Sequence, residues 1–474
     1  MTPTSGRSPL AGDALAPAFA LANPESRIPN PGREHRPRAG SCVSTRGGSP
    51  AVPISQAIAA GLAPDGGLYV PEALPSIDPG TFDPHGSLAD TAATLLMPFF
   101  AGDPLADELP AICAEAFTFE APSRPLPAHP GTSMLELFHG PTSAFKDFGA
   151  RFLAACLRRL PRRDTRPLTI LVATSGDTGA AVAAAFHRQP DTRVVILYPD
   201  GLVSPRQAHQ LGCFGDNVQA LRVAGRFDDC QRMVKAALND ATLQAQVPLS
   251  SANSISLGRL LPQMSYYAHT ALGWWRQHGA PLGFIVPTGN LGNAMACLWV
   301  RAIGLPVGEV RLACNANTTL PDYFAGADYT PREAIPTLAN AMDVGAPSNF
   351  ERLRWTFPDE AELRGVLSAC SVADATIRRT IANHAREHGE VFCPHTATAM
   401  HLHDRLRDEG DRGAWAVVAT AHPAKFESVV EPLVGAPVAM PRALATMLAQ
   451  PSGAELIAAT DAALRDALAG AARA

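Results

Sequence analysis

The sequence predicts an α/β fold in which two parallel-sheet lobes flank a cleft, preceded by a small N-terminal unit. Three observations lead there. Short apolar runs alternate with polar, glycine-bearing loops and then with amphipathic or alanine-rich segments, the pattern of βα units around a parallel sheet. The runs are continuous in Val, Ile and Leu, as strands are when helices cover both faces of their sheet. The texture extends over roughly 300 residues, more than one ordinary open sheet uses.

Taken in order, residues 1–40 are rich in Pro, Gly, Ala and Arg and show no sustained period, which predicts a disordered leader. A targeting peptide is the competing reading, because "PAFALA" resembles a small-residue cleavage site. Against it, Asp13 and the prolines interrupt the apolar stretch, and Glu25 and Glu34 follow it. Residues 41–125 read as helical pieces broken by turns, with a tight turn at Asp65-Gly66-Gly67. After the proline-rich "APSRPLPAHPG" the α/β region spans 126–430. Its clearest strands are "LTILVA" (168–173), "RVVILYP" (193–199), "ALRVAG" (220–225), "GFIVPT" (283–288), "EVRLAC" (309–314) and "AWAVVAT" (414–420). Helices are expected at "FDDCQRMVKAALND" (227–240) and "NAMACLWVRAIG" (293–304), and residues 431–474 read as a peripheral helical tail.

Composition narrows the function. The 474 residues are 46% hydrophobic and 18% charged, with a formal net charge of −5. Such a chain can bury large cores, and it offers no electrostatic case for nucleic acid. No uninterrupted apolar run reaches bilayer length. The nine cysteines form no C-x-x-C pair, and their odd number in a long chain points to reduced thiols in a cytoplasm-like compartment.

Candidate chemistry begins with lysine scarcity: the chain has three lysines, Lys146, Lys235 and Lys425, against 36 arginines. Unlike a guanidinium, a desolvated lysine amine can lose its proton and attack a carbonyl. Lys146 lies at the entrance to a helix, where Phe145, Phe148, Phe152 and Cys156 share one stripe. The bland alternatives are a partly exposed lysine and a genomic bias toward arginine codons. Two glycine-rich turns follow strands. In "VATSGDTGAA", Ser175, Gly176, Asp177, Thr178 and Gly179 lead into an alanine-rich helix, and "VPTGNLGNAM" repeats the design with Thr288, Gly289, Asn290, Leu291, Gly292 and Asn293. Free N–H groups and the helix dipole favour an anion at such turns, although many serve only chain reversal. Neither is a P-loop or a G-x-G-x-x-G motif. Thr420, His422 and Lys425 follow a buried strand, where open sheets place ligands; His422 reads equally as an acid-base group or a cap. Arg259, among Asn253, Ser254 and Ser256, suits a phosphate ester or a structural salt bridge. No cluster has convincing zinc spacing, "CPH" (393–395) being too short, so no metal is expected.

The ordered set "STRGG", "GLAPDGGLYVPE", "ELFHGPTSAFKDFG", "TSGDTGAA", "SANSISLGRLLPQ", "PTGNLGN", "NAMDVGAPSN" and "TAHPAKF" is similar to the threonine synthase family, pyridoxal-phosphate enzymes of fold type II (tryptophan synthase beta-like). The likeness runs from about residue 41 to the end; the leader has no counterpart in it. The resemblance implies that Lys146 forms the Schiff base with pyridoxal 5'-phosphate, and that Gly289, Asn290, Leu291, Gly292 and Asn293 hold its phosphate. Thr288 and Leu291 depart from the commoner "SGNFG", which matters little if backbone N–H groups provide the grip. It further implies Thr420 facing the pyridine nitrogen, Asp177 near the ring hydroxyl, and Ser175, Thr178, Asn253 and Arg259 holding substrate carboxylate and phosphate. The expected activity converts O-phospho-L-homoserine and water to L-threonine and phosphate, in a cytoplasmic monomer or homodimer without nucleic-acid or membrane partners. The alternatives are a phospho-lyase of the same family and a non-catalytic pyridoxal-phosphate-binding homologue.

Overall fold

The computed structural model describes residues 40–161 and 164–470, so nearly all of the expected leader, and with it the cleavage-site reading, lies outside the described residues. The N-terminal unit contains a small antiparallel sheet of β1 (Ser41–Ser44), β2 (Val52–Pro53) and β3 (Tyr69–Pro71), ordered β2-β1-β3. Helix Ile54–Ala60 packs on it, and helices Leu88–Leu96 and Leu109–Ala116 of the same unit pack on each other. Sequence periodicity suggests the helices but not the sheet, because strands of two to four residues are too short to show a period of two. The Asp65 turn forms as expected: its carboxylate accepts from Ser44 Oγ (2.7 Å) and from the N–H of Gly67 (2.9 Å), while Gly66 takes φ +77°.

Eleven further strands build two sheets. They are β4 (Ser123–Pro125), β5 (Thr132–Glu136), β6 (Leu168–Ala173), β7 (Thr192–Pro199), β8 (Val218–Ala224), β9 (Leu249–Ser251), β10 (Leu282–Pro287), β11 (Val307–Cys314), β12 (Leu367–Ser371), β13 (Trp415–Ala419) and β14 (Glu455–Ala458). One sheet runs β12-β11-β10-β13-β5-β4, parallel except for its β4 edge; the other runs β14-β8-β7-β6-β9 and is parallel throughout. All six apolar runs are strands of these sheets. By contrast, β5 ("TSMLE") and β12 ("LSACS") mix polar and apolar residues and give no continuous apolar signal.

The tail departs from its expected all-helical character. Between helices Arg442–Leu448 and Asp461–Gly470, the four residues of β14 pair in parallel with β8, Glu455 opposite Leu221. The physical reason is the edge of β8, whose backbone groups need partners that a short passing segment can supply.

Helix Lys146–Arg159 follows β5 and buries Phe148, Phe152 and Cys156 completely, with Phe145 partly covered. The Phe148 ring packs on Phe117, Phe119 and Tyr266, which fixes the helix start. One turn in, a Cβ at Gly149 would lie 2.7 Å from the carbonyl oxygen of Arg259. Gly149→Ala is therefore expected to destabilise by about 1–3 kcal/mol through overpacking against backbone. Thermal unfolding checks this, and an unchanged midpoint would show that the neighbouring helix yields freely.

Candidate active site

The carboxyl ends of β5, β10 and β13 share one edge of their sheet, and the loop after β6 meets that edge from the other sheet. Open parallel sheets expose loops and helix N-termini at this edge. The segment between β5 and Lys146 is shaped by Asp147: Thr142 donates its backbone N–H to Oδ2 (2.9 Å) and its hydroxyl to Oδ1 (2.7 Å). A Cβ at Gly140 would meet Asp147 Oδ2 at 2.5 Å, so only glycine admits this turn. Burial raises the Asp147 pKa to about 6, with the Thr142 bonds, Lys425 and Arg151 opposing. Ser143 adopts φ +57°, and the Phe145 N–H donates to the Thr420 carbonyl (2.8 Å). Lys146 is thus pinned, through its neighbours, to the end of β13.

Lys146 as a whole is half-buried, yet its amine is enclosed deeply enough to be desolvated. Its Nζ lies 4.3 Å from the centroid of the Phe145 ring. Burial, reinforced by Arg259 and opposed by Asp177, lowers its pKa to about 8. A fraction of this lysine is therefore a neutral nucleophile near physiological pH.

The turn after β6 differs from the anion cradle expected of it. Thr174 Oγ1 accepts from the N–H groups of Gly176 (3.0 Å) and Gly179 (2.9 Å), which removes two donors from any ligand. Asp177 places a buried carboxylate in the first turn of helix Asp177–Phe186. Its Oδ1 accepts from Lys425 Nζ (2.8 Å) and Gln207 Nε2 (3.0 Å). Burial alone would raise the Asp177 pKa, but Lys425, His395 and Gln207 outweigh it and hold the group below the ordinary carboxylate range. Ser175 and Thr178 lie partly exposed on this turn, and the Ser175 carbonyl accepts from Asn340 (3.3 Å).

The turn after β10 retains its donors. Helix Gly292–Ala302 begins there, with Leu291 at its N-cap in the left-handed region (φ +62°). The first N–H groups of a helix have no intrahelical acceptor, and they carry the positive end of its dipole. Asn290 ties the turn to its surroundings, donating to Ser254 Oγ (2.7 Å) and accepting at its carbonyl from Asn349 (2.9 Å). A Cβ at Gly289 would meet Met342 Cα at 2.7 Å, so the 340–343 segment packs directly on the turn. Asn293 points away from the turn: its Oδ1 accepts from the hydroxyls of Tyr266 and Tyr267 (2.5 and 2.9 Å). Its backbone N–H remains at the helix start, and its side-chain Nδ2 is buried without a partner.

Arg259, almost fully buried, donates from Nη1 to the Ala252 carbonyl (2.5 Å), while its buried Nε has no partner. Burial lowers its pKa to about 10, with Asp147 opposing. It sits within electrostatic range of Lys146, and Asn253 lies beside Ala252 on the same segment. Thr420 is buried at the end of β13. His422 proves to be a cap: its Nδ1 accepts from the Ala424 N–H (3.2 Å).

Two groups go unrecognised by sequence reasoning. His395, set aside with "CPH" as a poor zinc motif, is buried within electrostatic range of Lys146, Asp177 and Lys425. Its Nε2 accepts from the Ala341 N–H (3.1 Å), and burial, opposed by Asp177 and reinforced by Lys146 and Lys425, drives its pKa to about 4. Gln207 reaches Asp177 from helix Pro205–Gly212, whose start is fixed by a capping box between Ser204 and Gln207 itself; the S-x-x-Q spacing is the local signal for that helix start, but nothing local points to Asp177. A separate cleft of about 600 Å³, lined by residues including Glu136, Phe138, Phe392, His422 and Val438, takes in His422 but neither Lys146 nor Lys425 nor any residue of the two glycine turns.

The donor set suits pyridoxal phosphate: an amine near neutrality, uncapped N–H groups at a helix start, and a buried hydroxyl at a strand end. Comparison with known proteins agrees. The family profile for pyridoxal-phosphate dependent enzymes matches residues 128–423, that for the threonine synthase N terminus matches 41–117, and that for the threonine synthase C-terminal region matches 396–468. The threonine synthase of Escherichia coli K12 is 38% identical over 417 residues, covering 87% of this chain and 96% of its own. That of Serratia marcescens is 39% identical, covering 83% and 91%. Among solved structures, the E. coli threonine synthase superposes with a TM-score of 0.83 at 35% identity, covering 91% of this chain and 100% of its own. The pyridoxal-phosphate-bound threonine synthase of Brucella melitensis gives 0.82 at 31% identity, with coverages of 92% and 100%.

Proposed function

The chain belongs to the threonine synthase family of pyridoxal-phosphate-dependent enzymes, and from that premise we propose that it converts O-phospho-L-homoserine and water to L-threonine and phosphate, with Lys146 at the centre. The observation that carries this reading is the desolvated Lys146 amine, lowered to a pKa of about 8 at the shared carboxyl edge of the sheets. Pyridoxal phosphate, when bound, supplies an electron sink that eases proton loss from carbons near the substrate nitrogen.

The residues of the chain then divide the remaining work. Lys146 would hold the cofactor through its aldehyde carbon and, once displaced by substrate, move protons at the substrate α and β carbons. Backbone N–H groups of Gly289, Asn290, Leu291, Gly292 and Asn293 would grip the cofactor phosphate. The Thr420 hydroxyl would face the pyridine nitrogen; a neutral group there leaves that nitrogen largely unprotonated, which favours elimination and replacement over transamination. Asp177 would stand near the ring hydroxyl, its charge held by Lys425. Ser175, Thr178, Asn253 and Arg259 would orient the substrate carboxylate and phosphate. We place this chemistry in the cytoplasm, in a monomer or homodimer; among the described residues no helix is long and apolar enough to cross a membrane.

Incubating the purified protein with pyridoxal phosphate and O-phospho-L-homoserine should yield threonine and phosphate in equal amounts. Phosphate with a keto acid would instead identify the phospho-lyase, and no product a non-catalytic homologue. A second experiment probes the amine. In the cofactor-free protein, borohydride trapping of pyridoxal phosphate on Lys146 should rise with pH through about 8. Arg259→Gln should move that midpoint upward, because removing a neighbouring positive charge favours the protonated amine. The same variant should weaken substrate binding more than cofactor binding. A stationary midpoint together with equal losses would remove Arg259 from the site.

A further inference from the structure

At the opposite, amino end of β5, far along the strand from the edge that carries Lys146, five metal-competent side chains converge. His129 lies in the turn between β4 and β5, its backbone fixed by hydrogen bonds to Leu126 and from Thr132 (2.9 and 3.0 Å). His384 and His388 stand one helical turn apart on Asp374–His388, and His403 and Asp404 come from Pro394–Asp408. Ring nitrogens of His129, His384 and His388 lie within 4.8 Å of one another, and their ring centroids form a near-equilateral triangle of 5.6, 5.3 and 5.3 Å. An i, i+4 histidine pair with a third histidine from another element is a recurring arrangement for zinc.

Protonation states sharpen the point. Asp404 Oδ2 accepts from His384 Nε2 (2.8 Å), because a carboxylate offers no proton of its own. With Nε2 engaged by Asp404, Nδ1 is the His384 nitrogen left to face a ligand, and that atom is buried without a partner. His129 Nε2 is likewise buried and unpartnered. This is the carboxylate–histidine arrangement that orients ligands in metal sites. His403 does not belong to the ligand set: its Nε2 meets Thr132 Oγ1 (2.8 Å) and its Nδ1 faces Asp404.

We propose that His129, His384 and His388 form a binding site for one borderline divalent cation, zinc by preference, with Asp404 orienting His384 and water completing the coordination through the exposed His388 side. Tetrahedral Zn–N bonds of about 2.1 Å place ligand nitrogens about 3.4 Å apart, so the three rings need to close by little more than an ångström. The site would clamp the β4–β5 turn to helix Asp374–His388, which Asp404 ties in turn to helix Pro394–Asp408, at the end of β5 away from Lys146.

The test uses untagged, full-length holoenzyme, freed of metal by chelator and titrated with zinc chloride. One ion per chain is expected, Co²⁺ should give visible tetrahedral absorption, and zinc should raise the thermal midpoint. His388→Ala removes an exposed ligand with little risk to folding, and it should abolish the stoichiometric step and the cobalt spectrum. Asp404→Asn should weaken zinc binding by about 10–100-fold. The absence of stoichiometric binding in the wild type, or wild-type binding retained in His388→Ala or His129→Ala, would overturn the proposal.

Discussion

Lys146→Ala should lose turnover by more than the roughly 10²–10⁴-fold that a positioned proton-transfer group contributes, because the same amine also serves as the covalent anchor. The variant should also lack the visible absorbance that pyridoxal phosphate shows when bound to a lysine. It should fold normally, since the wild-type amine is disfavoured in its charged form by burial and by Arg259. Spectrophotometry of the reconstituted variant, with a phosphate-release assay, checks both effects. Retention of the lysine-type spectrum together with threonine formation would transfer the role to another amine. Lys425 is a poor substitute, since its Nζ already binds Asp177 Oδ1 (2.8 Å) and the Thr142 carbonyl (2.8 Å).

Lys425→Met should cost about 3–5 kcal/mol of stability, the range for removing one partner of a buried ion pair. The change leaves Asp177 buried without its cation and the Thr142 carbonyl without its donor, at the point where the loops of the two sheets meet. The pH dependence has a definite sign. Asp177 has a folded-state pKa below its unfolded value, so its stabilisation is present above the ordinary carboxylate pKa and is lost as pH falls through the lowered one. The gap between wild type and variant should therefore narrow as the medium becomes strongly acidic. Adding Asp177→Leu to Lys425→Met should recover much of the loss, because two apolar groups need no partner. Urea midpoints across pH decide the matter; a difference of less than about 1 kcal/mol at neutral pH would show that water or a rearranged side chain solvates Asp177.

Much of this architecture is legible in the chain. Largely apolar runs announce β6, β7, β8, β10, β11 and β13, because strands covered by helices on both faces carry few polar residues; β8 and β11 admit Arg222 and Arg311 where they are only partly buried. The aromatic stripe at Phe148 and Phe152 announces the helix that carries Lys146. The turn at Gly289–Asn293 precedes a helix, as its glycines suggest. The short strands β1, β2, β3, β9 and β14 are illegible because a few residues carry no period, and they form only where a neighbouring edge supplies partners.

At the site, sequence alone singles out two unusual lysines, Lys146 and Lys425, and two glycine turns, since residue type and spacing are properties of the chain itself. The motif around Lys146 and the resemblance it carries point to that lysine, but not to the surroundings of either amine. Only the tertiary structure decides those, by enclosing Lys146 beside Arg259 and seating Lys425 on the Asp177 carboxylate; the same long-range packing brings His395, Gln207 and the His129–His384–His388 triangle together. Charge state and ligand geometry depend on distances between segments tens to hundreds of residues apart, and no local pattern encodes those distances.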